Sequence, residues 1–314
     1  MNEKLIGLED LPDNFGVKLE DGFREKFLDR AIFIAKGVKK LSELLNCDRT
    51  AIWQWKTGKI LTKVSLLKKL SGITRYPLEE IESKIEYIRR KRTGDKDFIK
   101  IKFPILASPE LASVIGHSIG DGNVSERQFS FFNQSIELVD EVIKNTNIAF
   151  DTDVVPEIFE KSGGKEIEFP TNIALLVNLA GSPIGEKVKR DFRIPNWIKC
   201  GNKEIKSAFI RALIDDEGSI NKSNIVFGMA KKEELLESHR IFIEELKEIL
   251  LNLGVESNPI QKPLRINSGS VQLFFSIGKK ELPKFIKNVG LTNSEKNYKV
   301  SQVLKKNINS DIKK

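Results

Sequence analysis

Two runs of apolar and small residues interrupt the ordinary mixture of polar and apolar positions along this chain: Val114-Ile-Gly-His-Ser-Ile-Gly-Asp-Gly122 and Ile210-Arg-Ala-Leu-Ile-Asp-Asp-Glu-Gly218. Each reads as a helix that ends in a carboxylate followed at once by glycine, and the carboxylates Asp121 and Glu217 lie 96 residues apart. Residues three and four apart share a helix face, so Ser113, Gly116 and Gly120 form a small-residue stripe that lets another helix approach closely. Ala212 supplies the matching small position. Gly122 and Gly218 are expected to let the chain leave each helix through left-handed geometry. Packed as a pair, these helices bring Asp121 and Glu217 together at one end.

After each run the pattern changes to strands and back to helix. In the first half, 124–134 and 154–169 read as strand regions around a helix over 137–145, with a further helix over 173–179. In the second, 219–227 and 260–277 read as strands around a long helix over 232–253, whose Leu235, Leu236, Ile241, Phe242, Leu246, Ile249 and Leu250 are expected to form an apolar core stripe, and a helix over 281–289 follows. Alternation in Gln128-Phe-Ser-Phe-Phe-Asn-Gln134 turns Phe129 and Phe131 inward and Gln128, Ser130 and Gln134 outward. In the last hairpin Leu264, Ile266, Val271, Leu273 and Phe275 are expected under the helices, with Arg265, Asn267, Gln272 and Ser276 outside.

The N-terminal part has another rhythm. Residues 1–22 carry a turn signal, Leu11-Pro-Asp-Asn14, and no clear element. From Phe23 the apolar positions Phe27, Ala31, Ile34 and Ala35 predict a helix closed by Gly37, then short helices over 39–45 and 49–56 separated by the turn Asn46-Cys47-Asp48. Further helices are expected over 64–70 and, started by Pro77, over 78–92. A short helix, a tight turn and a second short helix is a helix-turn-helix arrangement. The expected organisation is a segment 1–22, an all-α helical domain 23–92, a basic linker 93–104, and two similar halves, 105–195 and 196–314.

Composition narrows the chemistry. The 314 residues, 40% hydrophobic, suffice for several globular units, and the net charge of +8 favours an acidic partner, nucleic acid being the simplest. No apolar run approaches the about 18 residues a membrane span requires, so no membrane partner is expected, and the N-terminus has no signal-peptide core. Two cysteines and two histidines leave a four-ligand zinc site unsupported. His117, one turn before Asp121, reads as a satisfied packing histidine, and Cys47 as a small buried residue. Two carboxylates forced together near helix C-termini repel unless a cation lies between them, and oxygen ligands of this kind suit a hard divalent ion such as Mg2+.

The two runs resemble the paired motifs of LAGLIDADG (DOD-type) homing endonucleases, in their two-motif monomeric form, over roughly residues 105–305. That resemblance implies an α+β fold: duplicated αββαββα halves about a pseudo-twofold axis, with antiparallel sheets forming a saddle over double-stranded DNA. It further implies Mg2+ or Mn2+ held by Asp121 and Glu217 and metal-assisted hydrolysis of one phosphodiester in each strand. Gly185-Glu-Lys-Val-Lys189 and Gly290-Leu-Thr-Asn-Ser-Glu-Lys296 resemble the family's lysine segments, which implies that Lys187 and Lys296 stand near the metals, with Lys189 an alternative to Lys187. Glutamate at 217 and Asp216 at the helix interface depart from the family's usual aspartate and small residue.

The stretch from Leu41 to Lys59 resembles the phage-repressor (Cro-type) helix-turn-helix. Ile52 and Trp55 are then core, and Arg49, Thr50, Trp53 and Gln54 face a major groove, as Gln128, Ser130, Gln134, Arg265, Asn267 and Gln272 do from the saddle. Arg89 to Arg92 read as a phosphate-contacting strap. Absence of a splice-junction pattern at either end suggests a free-standing protein, and the lack of a membrane run or signal core a cytoplasmic one, associated with the nucleoid when on DNA. Two other functions fit the same residues: a non-cleaving DNA-binding regulator built on this fold, and a maturase-like RNA-binding protein.

Overall fold

A computed structural model describes residues 3–90, 99–266 and 269–311, without the side chains of 306–311. The chain divides into two compact units, Met1–Leu106 with Asn147–Val154, and Ala107–Thr146 with Val155–Lys314. No helix among the described residues is long and apolar enough to cross a membrane.

The first unit contains β1 (Lys4–Ile6), β2 (Gly16–Leu19), α1 (Asp21–Ile34), α2 (Val38–Leu45), α3 (Arg49–Lys56), β3 (Thr62–Lys63), α4 (Val64–Thr74), α5 (Leu78–Glu82), β4 (Ile85–Arg89), β5 (Ile99–Lys100) and β6 (Ile105–Leu106). It is not all-α. Strands β3, β2, β4 and β5 form an antiparallel sheet in that order, and β1 pairs with β6. The helix expected over 78–92 stops at Glu82, because Ile85 and Ile88 are buried when 85–89 pairs with β2, Val17 lying opposite Ile88. Such pairing is non-local and leaves no mark in helical periodicity. The segment 1–22 acquires its structure the same way, through β1 and β2.

Helices α2 and α3 are joined through Asn46, whose φ of 52° is left-handed. Leu41, Leu45, Ile52 and Trp55 are buried, whereas Leu44, whose spacing also placed it on the inner face of α2, is 61% exposed; Arg49, Thr50 and Trp53 are exposed. Arg24 closes the end of α3, donating from Nε to the Lys56 carbonyl at 3.1 Å. Cys47 is half-buried rather than buried.

The second unit repeats one element order. First come α6 (Pro109–Ile119), β7 (Gly122–Val124), β8 (Gln128–Asn133), α7 (Ile136–Phe150), β9 (Glu157–Lys161), β10 (Gly164–Pro170) and α8 (Thr171–Leu179). After a short α9 (Asn196–Lys199) follow α10 (Lys203–Glu217), β11 (Gly218–Ile220), β12 (Asn224–Lys232), α11 (Leu236–Asn252), β13 (Leu264–Ile266), β14 (Ser270–Gly278) and α12 (Leu282–Asn288). That is αββαββα twice, with strand orders β7-β8-β10-β9 and β11-β12-β14-β13. The registers correspond, since Gly122 lies opposite Phe131 and Gly218 opposite Phe227. A last helix, α13 (Ser294–Asp311), was not anticipated.

Local sequence explains where the central helices begin. Ser108 Oγ accepts the Leu111 N–H at 3.1 Å with Pro109 at the first helical position, and Asn202 Oδ1 accepts the Ile205 N–H at 3.0 Å. Helices α6 and α10 then meet on their small faces. A Cβ at Gly116 would stand 2.7 Å from the Ala212 Cβ and 2.8 Å from the Phe209 carbonyl oxygen, so only glycine permits this approach. Sheet cores follow the alternation, with Phe129 stacked on Phe169 at 5.6 Å and Phe227 tilted against Phe275 at 5.5 Å; such pairs add ~0.5–1.5 kcal/mol beyond area burial.

Two sequence expectations fail here. Gly122 and Gly218 do not adopt left-handed backbone. They are required because a Cβ at 122 would stand 2.8 Å from the His117 carbonyl oxygen, and one at 218 would collide with the carbonyl of Ile214. The facing of β13 is also reversed, because Leu264 pairs with Gln272 and Arg265 with Val271. Leu264 and Ile266 therefore share the outer face, 53% and 39% exposed, and Arg265 lies on the opposite side. A short edge strand takes its facing from the hairpin register, which alternation within three residues does not set.

Candidate active site at the ends of the paired helices

Asp121 follows the last turn of α6, and Glu217 is the last residue of α10. Both carboxyls are raised: Asp121 to about 6, by burial and then by Asp216, and Glu217 to about 7, by burial and then by Asp121. The Asp121 backbone N–H donates to Asp216 Oδ2 at 3.1 Å, one residue before Glu217, so pairing the helices brings the two carboxylate-bearing ends together. Asn133 Nδ2, at the end of β8, donates to Asp121 Oδ2 at 2.8 Å.

Each helix end is closed by a lysine. Lys187, in a short turn over 187–189, donates from Nζ to the carbonyls of Gly120 and, at 3.3 Å, Ser118. Lys296, at the start of α13, donates to the carbonyls of Asp215 and, at 3.1 Å, Ile214. Burial lowers both amine pKa values, while the neighbouring carboxylates, Asp121 and Glu217 among them, raise them. Lys189 is elsewhere, exposed and paired with Glu186 at 2.7 Å. Of the two alternatives, the structure brings Lys187 to the carboxylates.

Several neighbours carry a role that sequence reasoning missed. Asp216 occupies the space that Gly120 leaves open, where a Cβ would come within 2.7 Å of its own Cβ. Its Oδ2 accepts the Asp121 backbone N–H at 3.1 Å, and its carboxylate faces His117. Asp215 accepts the N–H groups of Thr292 at 2.8 Å and Asn293 at 3.2 Å, which holds the loop leading to Lys296. The only available signals were an acid at a small-residue position opposite Gly120 and a histidine inside an apolar helix. A cleft of about 800 Å³ opens beside Asp121, Asn133, Ser135, Asp216, Ser294 and Lys296.

The donor set suits a hard ion. No group of three or more His, Cys, Asp or Glu side chains able to hold a metal exists among the described residues. Two carboxylates with raised pKa values fit an ion of the Mg2+ type, which binds through one or two carboxylates and keeps water and phosphate oxygens for its remaining positions.

The other sequence candidates scatter. Ser130 lies on the outer face of its sheet but is buried, between Asn123 and Glu168 across the strands. At the ends of the same row Gln128 is half-buried and Gln134 exposed. Gln272 is outward and half-buried, Arg265 is paired with Glu233 at 2.5 Å on the other side of its strand, and Asn267 lies outside the described residues, as do Lys91 and Arg92 of the expected strap. Glu157, Glu166 and Glu168 share the outer face of the first sheet, Glu157 directly opposite Glu168. The alternation that placed Ser130 outward did not reveal these acids, since they come from β9 and β10.

Residues 204–290 match the LAGLIDADG-like domain family. The match runs from α10 through α12, and the first half of the unit repeats that element order and register. Among curated relatives, the chain is 25% identical over 206 residues to the replication factor C small subunit of Methanocaldococcus jannaschii, covering 60% of the chain and 11% of that protein. It is 24% identical over 219 residues to the tRNA-splicing ligase RtcB of Methanopyrus kandleri, 62% of the chain and 22% of the relative. With the glutamine–fructose-6-phosphate aminotransferase of M. jannaschii it shares 25% over 301 residues, 92% of the chain and 25% of the relative. The chain thus spans a quarter or less of the length of these relatives. Similar solved structures include I-DmoI in complex with DNA and Mn, at 17% identity and TM-score 0.43 over 59% of this chain and 97% of that one. Full-length DUF199/WhiA from Thermatoga maritima gives 11% and 0.40, over 64% and 61%.

Proposed function

We propose that the chain is a site-specific, divalent-metal-dependent double-strand DNA endonuclease in which the first unit supplies a further DNA-binding element. The observation that carries this reading is the pairing of Asp121 and Glu217 at the joined helix ends, each end closed by a lysine amine. A retained pair of raised carboxylates is costly to a fold that only binds, and useful to one that gathers a cation.

An Mg2+ or Mn2+ ion held by Asp121 and Glu217 would supply Lewis-acid stabilisation of charge on the scissile phosphate and its leaving oxygen. The chain's own residues do the rest. Asn133 orients the Asp121 carboxylate. Lys187 and Lys296 offset the negative ends of α6 and α10 and present positive charge to an approaching phosphate. Both half-sites come from one polypeptide, so the protein acts as a monomer; sedimentation showing two chains on one target would contradict this.

The relatives support a separable module. They are, by name, a replication factor, a splicing ligase and an aminotransferase, and segments covering 60% and 62% of this chain must overlap within it. A stretch common to proteins of such different activities is not what performs any of them.

The test is to incubate the purified chain with Mg2+ or Mn2+ and a randomised duplex library and to sequence double-strand ends. Ends at a common site are expected, and their loss in Asp121→Asn and in Glu217→Gln. Full activity in both variants would sink the nuclease mechanism. Specific binding without ends, in either metal, would establish the regulator instead. Glu157, Glu166 and Glu168 on the outer face of the first sheet would oppose phosphates under either reading, although Glu166 is paired with Lys161. Charge is also unequally divided, with 23 Lys and Arg against 16 Asp and Glu in residues 1–106, but 29 against 28 in residues 107–314.

A further inference from the structure

Strand β12 turns Ile225, Phe227, Met229 and Lys231 toward the core, and the last of these is a lysine only 3% exposed. Its amine is fully engaged. Nζ donates to the backbone carbonyls of Lys187 and Arg190, each at 2.6 Å, and stands 3.5 Å from the centroid of the Phe192 ring. Phe192 in turn meets Phe242 of α11 edge-on at 5.1 Å. Burial lowers the amine pKa to about 7, opposed by Asp191 and reinforced by Lys187.

The position of these bonds matters more than their number. The turn that Lys231 grips by its backbone is the one whose Lys187 side chain reaches back to the carbonyls of Ser118 and Gly120, beside Asp121. A residue of the second half thereby holds the lysine of the first. The other lysine is held differently, through Asp215, whose carboxylate accepts the N–H groups of Thr292 and Asn293, and through Asn293 Oδ1, which accepts the Lys296 N–H at 2.9 Å. One anchor is an amine bonded to carbonyls and the other a carboxylate bonded to amides. Among the described residues, none serves both.

We propose that Lys231 is a positioning residue for Lys187 alone, so that its loss disables one of the two half-sites and turns a double-strand cut into a strand-selective nick. This rests on the nuclease reading for its catalytic consequence but not for its structural one. Lys231 touches no reacting atom; it acts through the backbone of 187–190. Removing the amine takes its donor from the Arg190 carbonyl and leaves the Lys187 carbonyl only the Arg190 N–H at 3.3 Å, so the turn loses its tie to β12 and shifts. Lys187 moves with it, whereas nothing in the 290–296 loop is bonded to Lys231.

The experiment uses the full chain with Lys231→Met, which keeps an unbranched apolar stem. Amide hydrogen exchange without DNA is expected to quicken at least tenfold across residues 187–193 and to stay unchanged across 290–297. On a supercoiled plasmid bearing the target, the ratio of nicked to linear product is expected to rise at least tenfold, with the nicks confined to one strand. Lys187→Met is expected to reproduce the nicking. Equal quickening in both segments, no quickening, or a fall in both strands' cleavage together overturns the proposal. Should Lys231→Met fail to fold, Lys231→Gln keeps two N–H donors and is read the same way, with at least a threefold change expected in 187–193 only. If the wild-type chain cuts no duplex, the nuclease reading fails, and the exchange measurement still decides the role of Lys231.

Discussion

His117 Nδ1 lies 3.1 Å from both carboxylate oxygens of Asp216, joining α6 to α10 by a charged pair in an interface otherwise made of small and apolar residues. Neither side chain has exposed surface. Burial alone would strip the imidazole of its proton, but Asp216 and, 3.9 Å away, Glu141 outweigh it and raise the pKa to about 10. The ring also packs edge-on against Phe131 at 5.1 Å. His117 is therefore a core histidine, as its place in the helix suggested, but one held as a cation.

Removing one partner of this pair leaves a buried uncompensated charge. His117→Leu is expected to cost ~3–5 kcal/mol in urea unfolding, and adding Asp216→Ala should recover most of it, since both members are then gone. Because the folded pKa is raised, the stabilisation is fully present below the unfolded value of about 6.5 and is lost as pH rises through about 10. Unfolding free energies measured between pH 6 and 10.5 check the sign: the wild type should weaken over that range more than the double variant. A double variant as unstable as His117→Leu would show that the pair is not the cause.

Glu217→Gln should trade activity for stability. Its carboxyl is raised to about 7, by burial first and by Asp121 next, so the metal-free folded state resists ionisation. A raised carboxylate pKa makes stability fall as pH climbs from the unfolded value toward the folded one. After allowance for partial exposure, the variant should gain ~1–2 kcal/mol at pH 8 in chelator, with the gain gone by about pH 4. Chemical denaturation at both pH values reads this directly, beside a cleavage assay that should show no product.

The exposed face of α3 carries Arg49, Thr50 and Trp53, with Gln54 half-buried beside them. If this helix reads base edges, replacing Arg49 and Gln54 together by alanine should weaken specific binding by roughly 10- to 10⁴-fold, at ~1–3 kcal/mol for each full contact. A titration against target and scrambled duplexes separates this from loss of non-specific affinity. Unchanged binding to both would reassign the face to protein contacts.

What the sequence determined by itself was local or repeated. The spacing of Gly116, Gly120 and Ala212 specified a close helix pair, because each close contact involves a position where extra atoms would collide. The recurrence of a carboxylate before Gly122 and Gly218 specified two equivalent halves, and the caps at Ser108 and the apolar stripes specified where helices begin and which face they bury. Tertiary structure alone decided the rest, since it depends on partners distant in the chain. The N-terminal sheet exists because β4 finds β2 some 70 residues earlier. The facing of Leu264 and Arg265 was set by the hairpin register, and the acidic outer face of the first sheet by which strands became neighbours. His117 and Lys231 are ordinary letters in a helix and a strand; only the fold, by withdrawing water and supplying Asp216 to one and two backbone carbonyls to the other, made the first a buried cation and the second an amine that ties a turn to the sheet.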